Sequence, residues 1–265
     1  MGILERSDVG LGVVYEQFML NRLLERTVKR FCIKNAVEAP IFGMAGLTGI
    51  NSMALPGLGV EVTLVDSDRG RLEDAETAWS MAGKKARFVL SETPEPLPFA
   101  DSEFGLAYNF AALWHLEDPG RMVREMARVS SDAVLICMPN PWNPLFQLRK
   151  LAGRLPANHG WADMKRVEAA LSDAGFPRVE AGVLDIPPWP DTVVALKDIL
   201  PGSKKEKTWR WSMLDYYCGK APLLKENVLG YSFIEDSPLP PGIKSFWAHH
   251  FYIIGREKNA AFTGR

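Results

Sequence analysis

Apolar residues at Phe18, Leu20, Leu23, Leu24, Val28 and Phe31 recur at the spacing of one helix face, so the pattern predicts an amphipathic helix over 14–31. The pattern then changes period. "IKNAVEA" reads as a short strand ended by Pro40, and a glycine-rich stretch follows. Residues 48–58 look helical until "PGLG" interrupts them. "VEVTLVD" is a β-branched strand, 69–82 a helix, "ARFVLS" a strand and "PEPLPFADSEF" a loop. "GLAYNFA" (strand), 119–129 (helix) and "DAVLICMP" (strand) continue the series. Strands alternating with helices of this length imply βαβ units and a parallel sheet covered on both faces.

After Pro139 the texture is different. "PNPWNPLFQLRKLAGRLP" is a connection rich in proline, 161–174 gives one more helix, and "RVEAGVLDI" another strand. The final apolar run, "SFWAHHFYIIGRE", reads as the last strand, and the aromatic, proline-bearing stretch before it as an insertion. The domain expectation is therefore an N-terminal helical segment at 1–33 and a core at 34–186. An inserted lid or substrate subdomain at 187–244, the last core strand at 245–258 and a disordered tail at 259–265 complete it.

Composition narrows the function classes. Hydrophobic residues make up 47% and charged residues 24% of the 265-residue chain, which fits one large globular domain rather than a membrane or disordered protein. A net charge of −1 gives no electrostatic case for nucleic acid. Three widely spaced cysteines, Cys32, Cys137 and Cys218, fit reduced thiols and a cytoplasmic location, and no Cys/His spacing points to a metal. The start of the chain lacks the apolar core of a signal peptide.

In an open parallel sheet, ligands bind beyond the carboxyl ends of the strands. The stretch "VEAPIFGMAGLTGINS" follows the first strand, with Gly43, Gly46 and Gly49 able to bring backbone close to a ligand. Asp66 ends the second strand, 17 residues beyond Gly49, where an acid can accept both ribose hydroxyls. Glycines and acid together suggest an adenosine-containing cofactor; the plainer reading is that the glycines serve tight turns and Asp66 caps a helix.

"LPFADSEFGLAYNFAALWHLEDPGRMVREMARVSSDAVLICMPNP" resembles the segment after the third strand of small-molecule class I S-adenosylmethionine (SAM) methyltransferases, the group that includes quinone-biosynthesis C-methyltransferases. The resemblance implies a Rossmann-like, doubly wound α/β fold. Its sheet would have seven strands, mostly parallel with an antiparallel last strand, and helices on both faces. The implied cofactor is SAM, with S-adenosylhomocysteine (SAH) as product. The family's first motif is an acid followed by alternating glycines, and two alignments compete. Laid directly on "GMAGLTG", Gly43 replaces the acid and Leu47 a glycine. With Glu38 as the acid, the loop is five residues longer than the family's, yet Gly49 and Asp66 keep the usual separation. The second is preferred because Pro40 ends the strand. By resemblance, Glu38 and the loop containing Gly43, Met44, Gly46 and Gly49 would hold the methionine end. Asp66 would bind the ribose with Ser67 beside it, Glu92 or Thr93 would stand near the adenine, and Asn109 and Phe110 would line the junction with substrate. One departure is Phe104-Gly105 where the family has Phe-Asp.

Methyl transfer needs a positioned acceptor, and a general base only where that acceptor is protonated. His115 matches a frequent family histidine and His159 lies in a loop on the ligand side, so both are candidate bases. His249 and His250 fall in the last strand and are expected to face opposite ways. The leading expectation is a cytoplasmic SAM-dependent methyltransferase for a small or lipid-like acceptor. A catalytically inactive relative that binds a partner or ligand is the alternative. A nicotinamide-dependent oxidoreductase is disfavoured by the LPF…HLEDP segment and by the lack of a Tyr/Lys signature.

Overall fold

A computed structural model describes residues 10–43, 46–92, 96–188 and 212–257. The expectations for residues 1–9, Met44, Thr93, 189–211 and the tail at 258–265 lie outside the described residues. The strands are β1 (Asn35–Glu38), β2 (Glu61–Asp66), β3 (Arg87–Leu90), β4 (Phe104–Phe110), β5 (Ser130–Pro139), β6 (Arg178–Leu184) and β7 (His250–Arg256). They form one seven-stranded sheet in the order β3-β2-β1-β4-β5-β7-β6. The pairs among β1 to β5 are parallel, and β7 runs antiparallel to both β5 and β6.

Strand alternation sends side chains into two cores. Ala36, Leu64, Leu106, Leu135 and Ile254 face one side, under α1 (Leu11–Phe31) and α2 (Arg69–Met81). Val37, Val65, Ala107, Ile136 and Ile253 face the other, under α3 (Pro119–Val129) and α5 (Met164–Asp173). Between these two lies the short α4 (Pro144–Leu151). Capping fixes where the helices begin: Asp68, Asp118, Asn143 and Asp163 each accept a backbone N–H from the first turn.

Three boundaries depart from the pattern. Residues 51–58 form a 3₁₀ helix (Asn51–Leu58) rather than a regular helix, because Pro56 sits inside it and Gly59, at φ 75°, ends it. The expected helix from residue 161 starts at Met164, after a 3₁₀ turn at His159–Trp161. The last strand starts at His250, not at residue 245, and Pro241–Trp247 is helix α8. Pro241 occupies the first helical position, and Asn140 and Asn143 of "PNPWN" hold the backbone that follows. Asn140 Nδ2 donates to the carbonyls of Ser245 (2.5 Å) and Ala248 (2.8 Å), and Asn143 Nδ2 to that of Trp247 (3.1 Å).

The described part of the insertion, with α6 (Met213–Tyr217) and α7 (Leu224–Leu229), packs on α1. Phe18 meets Tyr216 edge to face at 5.1 Å, and Asn21 Nδ2 donates to Tyr217 Oη at 2.7 Å. Met213, Leu214, Leu224 and Val228 join the core under α1. This stretch thickens one layer rather than enclosing a core of its own. Among the described residues, no helix is long and apolar enough to cross a membrane.

Candidate active site

The carboxyl ends of β1, β2 and β4 lie side by side, and the glycine loop crosses them. Ala39 N donates to the Tyr108 carbonyl on β4 and Ile41 N to the Val65 carbonyl on β2, so the chain leaving β1 is tied to both neighbours. Gly43, at φ 124°, packs so tightly on the end of β4 that a Cβ there would lie 2.3 Å from the Phe110 carbonyl oxygen. Gly49, at φ 73°, lets the loop pass 2.8 Å from the Ala75 Cβ when a Cβ is placed on it, and its carbonyl accepts the buried Trp79 Nε1 at 2.8 Å. Both positions therefore require glycine for close approach as well as for backbone conformation. Gly46 also has positive φ, at 93°.

Asp66 ends β2 with its side chain buried. Its Oδ1 accepts from Asp68 N (2.8 Å) and from Arg71 Nε (3.0 Å) and Nη2 (2.6 Å). Its Oδ2 is buried and accepts no hydrogen bond. A buried carboxylate oxygen without a donor costs free energy, so among the described residues this atom is an acceptor with unmet capacity. Pro40, Phe42, Ser67, Ser91, Leu97 and Met122 line a narrow, mostly apolar notch beside Asp66, with a free volume of about 10 Å³. Arg71 lies 4.8 Å above the Phe42 ring and so fixes both walls.

Glu38 sits elsewhere in the same region. Its Oε1 accepts from Asn51 Nδ2 at 3.0 Å, and its Oε2 from Ser52 Oγ at 2.6 Å and Tyr108 Oη at 2.8 Å. Ser52 Oγ and Tyr108 Oη also lie within hydrogen-bond distance of each other, and with one hydrogen apiece they share their donors between Glu38 and this contact. The carboxyl group is fully buried, and burial raises its pKa to about 7. Glu38 thus joins β1, β4 and the 3₁₀ helix from the inside, and all its described partners are protein groups.

Asn109 is likewise turned inward: its Nδ2 donates to the Ala39 carbonyl at 3.0 Å and its Oδ1 accepts from Ala112 N at 3.1 Å. Phe110 is buried and lies against His250, with ring centres 4.8 Å apart. Ser67 lines the Asp66 pocket and Glu92 is exposed at the end of β3. The two candidate bases are not brought together. His115 is edge-on to Phe42 at 6.1 Å, hence near the Asp66 pocket, and partial burial lowers its pKa. His159 lines a separate cleft with Trp142, Phe146 and Lys150, and its Nδ1 faces the Pro156 carbonyl at 3.0 Å.

Sequence reasoning missed Phe42, Ser91, Leu97 and Met122 as pocket walls, and Asn51, Ser52 and Tyr108 as partners of Glu38. Ser52 and Asn51 stood inside the quoted glycine stretch, but nothing in one chain ties them to an acid thirteen residues away. It also misplaced the histidine pair. Because the strand begins at His250, His249 precedes the pleat, and both rings reach Asp185: His249 Nδ1 at 2.9 Å and His250 Nδ1 at 3.5 Å from Oδ2.

The sheet order, the antiparallel β7 and the glycine loop beside an acid at the end of β2 define the fold of class I SAM-dependent methyltransferases. Residues 43–137 match the family described as methyltransferase domain. No curated protein matches the chain by sequence. Among solved structures, the YcgJ protein from Bacillus subtilis is 17% identical with a TM-score of 0.51, over 90% of this chain and 97% of its own. A putative methyltransferase from Bacillus halodurans C-125 is 15% identical with a TM-score of 0.51, over 90% and 98%. Magnesium protoporphyrin IX methyltransferase (ChlM) from Synechocystis PCC 6803, solved with bound SAH, is 11% identical with a TM-score of 0.51, over 92% and 84%.

Proposed function

We propose that the protein transfers a methyl group from SAM to a small or lipid-like acceptor. The observation that carries this reading is the buried, unpartnered Oδ2 of Asp66, a residue that lines a narrow apolar notch within the segment that matches a methyltransferase domain. Bound, the cofactor would supply an electrophilic methyl group on a sulfonium centre. Asp66 would accept a ribose hydroxyl, Phe42, Leu97 and Met122 would pack the adenosine, and Ser67, Ser91 and Glu92 would border it. The backbone around Gly43, Met44, Gly46 and Gly49 would receive the methionine end, with Thr93 beside Glu92. Glu38, Asn109 and Phe110 act in this reading as positioning residues that hold the ends of β1 and β4 in place.

His115 is the better placed of the two candidate bases, because it contacts Phe42 at the pocket rim. His159 faces a solvent-open cleft of about 380 Å³ beside the largely exposed Trp142, which suits an apolar or aromatic acceptor. We keep 187–244 as a substrate-side insertion on the strength of its sequence alone, which holds Trp189, Trp209 and Trp211.

A second reading, a methyltransferase fold kept for binding alone, is favoured by the closure of Glu38 on Asn51, Ser52 and Tyr108. Calorimetric titration with SAM, SAH and NAD separates the readings. Micromolar binding of SAM and SAH, without NAD, is the expected result; no binding of either adenosyl ligand would overturn the methyltransferase reading.

A further inference from the structure

Beside the Phe110 ring, three elements bring titratable side chains into one buried place. Glu16 comes from α1, Asp185 from the residue after β6, and His250 from the first residue of β7. All three are more than nine-tenths buried. One oxygen from each carboxylate and one ring nitrogen of His250 lie within 4.8 Å of one another.

The electrostatics of this place are unbalanced. Glu16 forms no hydrogen bond and no Lys or Arg pair among the described residues; its closest charged-group contact is His250 Nε2, at 3.9 Å. On the other ring edge, His250 Nδ1 is buried and makes no hydrogen bond, although Asp185 Oδ2 is 3.5 Å away. Burying a carboxylate without a cation or donor is costly, and a second carboxylate beside it adds to the cost. Asp185 is also held at φ 63°, a conformation that non-glycine residues seldom keep without a compensating contact. His249 Nδ1, 2.9 Å from Asp185 Oδ2, orients that carboxylate as an outer hydrogen-bond partner does in a metal centre. Glu235, from the insertion, adds support: it accepts from Tyr15 Oη at 2.9 Å and from Asp185 N at 3.2 Å.

We propose that Glu16, Asp185 and His250 form a site for a divalent transition-metal ion. One imidazole and two carboxylates are a borderline donor set, suited to Zn²⁺ or Mn²⁺ and poorly suited to a soft ion. Donors about 2 Å from a tetrahedral ion lie about 3.3 Å apart, so the side chains need to close by up to about 1.5 Å. The ligands are scattered over α1, β6 and β7, which is why no metal-binding spacing stands in the sequence. The site is independent of the methyltransferase reading, since its test needs no cofactor.

The test uses the full chain, freed of metal by chelator and dialysed, then titrated calorimetrically with Zn²⁺ and separately with Mn²⁺. The expected result is one equivalent of at least one ion, with a rise in the unfolding midpoint. Glu16→Gln, which keeps the shape of the side chain, and His250→Ala should each weaken that binding by more than about 100-fold. Should His250→Ala fail to fold, Glu16→Gln carries the test alone. Failure of the wild-type protein to bind either ion would overturn the proposal, and so would binding that Glu16→Gln leaves unchanged.

Discussion

The ring of His250 leans on the ring of Phe110, with centres 4.8 Å apart and planes at 49°. The first residue of β7 thereby touches the last residue of β4. Because β7 is antiparallel, its beginning lies at the sheet edge where the parallel strands end, so a strand from the end of the chain contributes to the ligand side. Phe110 is also where the glycine loop lands, through Gly43. Phe110 thus touches the glycine loop with its backbone and His250 of the Glu16, Asp185 and His250 cluster with its ring.

Asp66→Asn keeps the size of the side chain but replaces one carboxylate oxygen with a donor. Its loss of a ligand hydrogen bond should weaken SAM binding by about 1–3 kcal/mol. Arg71 is partly exposed and can be solvated, so the fold should survive. Calorimetry and thermal unfolding on the same sample check both halves; an unchanged affinity would remove Asp66 from the site.

The place of Asp66 at the end of β2 was legible because a strand ending in an acid is a local pattern, and the same holds for the alternation that gave the sheet. Glu38 was legible in position only. Its bonds to Ser52 and Tyr108 depend on how β1, β4 and the 3₁₀ helix meet, which no periodicity encodes. The His249 and His250 pair failed for a related reason. Opposite faces follow only if both lie within the pleat, and Pro240, Pro241 and the clamp from Asn140 delay the strand until His250. Tertiary contacts, not local preference, set that boundary.

Gly43→Ala tests whether the loop must press on β4. An added Cβ would meet backbone, the Phe110 carbonyl oxygen at 2.3 Å and Ala112 N at 2.7 Å, so no flexible side chain can give way. Strain and overpacking together should cost on the order of 2–4 kcal/mol and reduce SAM binding. Gly153→Ala is the control. Gly153 has φ 64° with open space around it, so only the left-handed backbone is penalised, at about 1–2 kcal/mol. Equal urea midpoints for the two variants would mean that the loop is not pinned there.

Asn140→Ala removes a side chain that serves the part-buried carbonyl of Ser245 and the buried carbonyl of Ala248, which keeps only the longer bond from Asn143 Nδ2 at 3.3 Å. Losing both bonds should destabilise the fold by about 2–3 kcal/mol. For a chain of this size that lowers the unfolding midpoint by roughly 4–10 °C. Gln147→Ala, which removes an exposed bond to the Pro141 carbonyl, should change stability by less than about 0.5 kcal/mol. A small shift for Asn140→Ala would show that the start of β7 needs no clamp.

Glu38→Gln should alter the pH dependence of stability in a defined window. Burial raises the folded-state pKa of Glu38 from 4.5 to about 7, so the folded protein holds this proton more tightly than the unfolded chain does. The stabilisation is therefore complete below the ordinary glutamate range and is lost as pH rises through about 7. Between these limits Glu38 should contribute a downward slope approaching about 1.4 kcal/mol per pH unit to the unfolding free energy. Glutamine does not titrate, so the variant should lack that slope while every other group keeps its own. Urea unfolding of both proteins from pH 4 to 8 reads the difference directly: the two curves should diverge between about pH 4.5 and 7 and run parallel outside it. Parallel curves throughout would mean that Glu38 has the same pKa folded and unfolded, its hydrogen bonds from Ser52, Tyr108 and Asn51 balancing its burial.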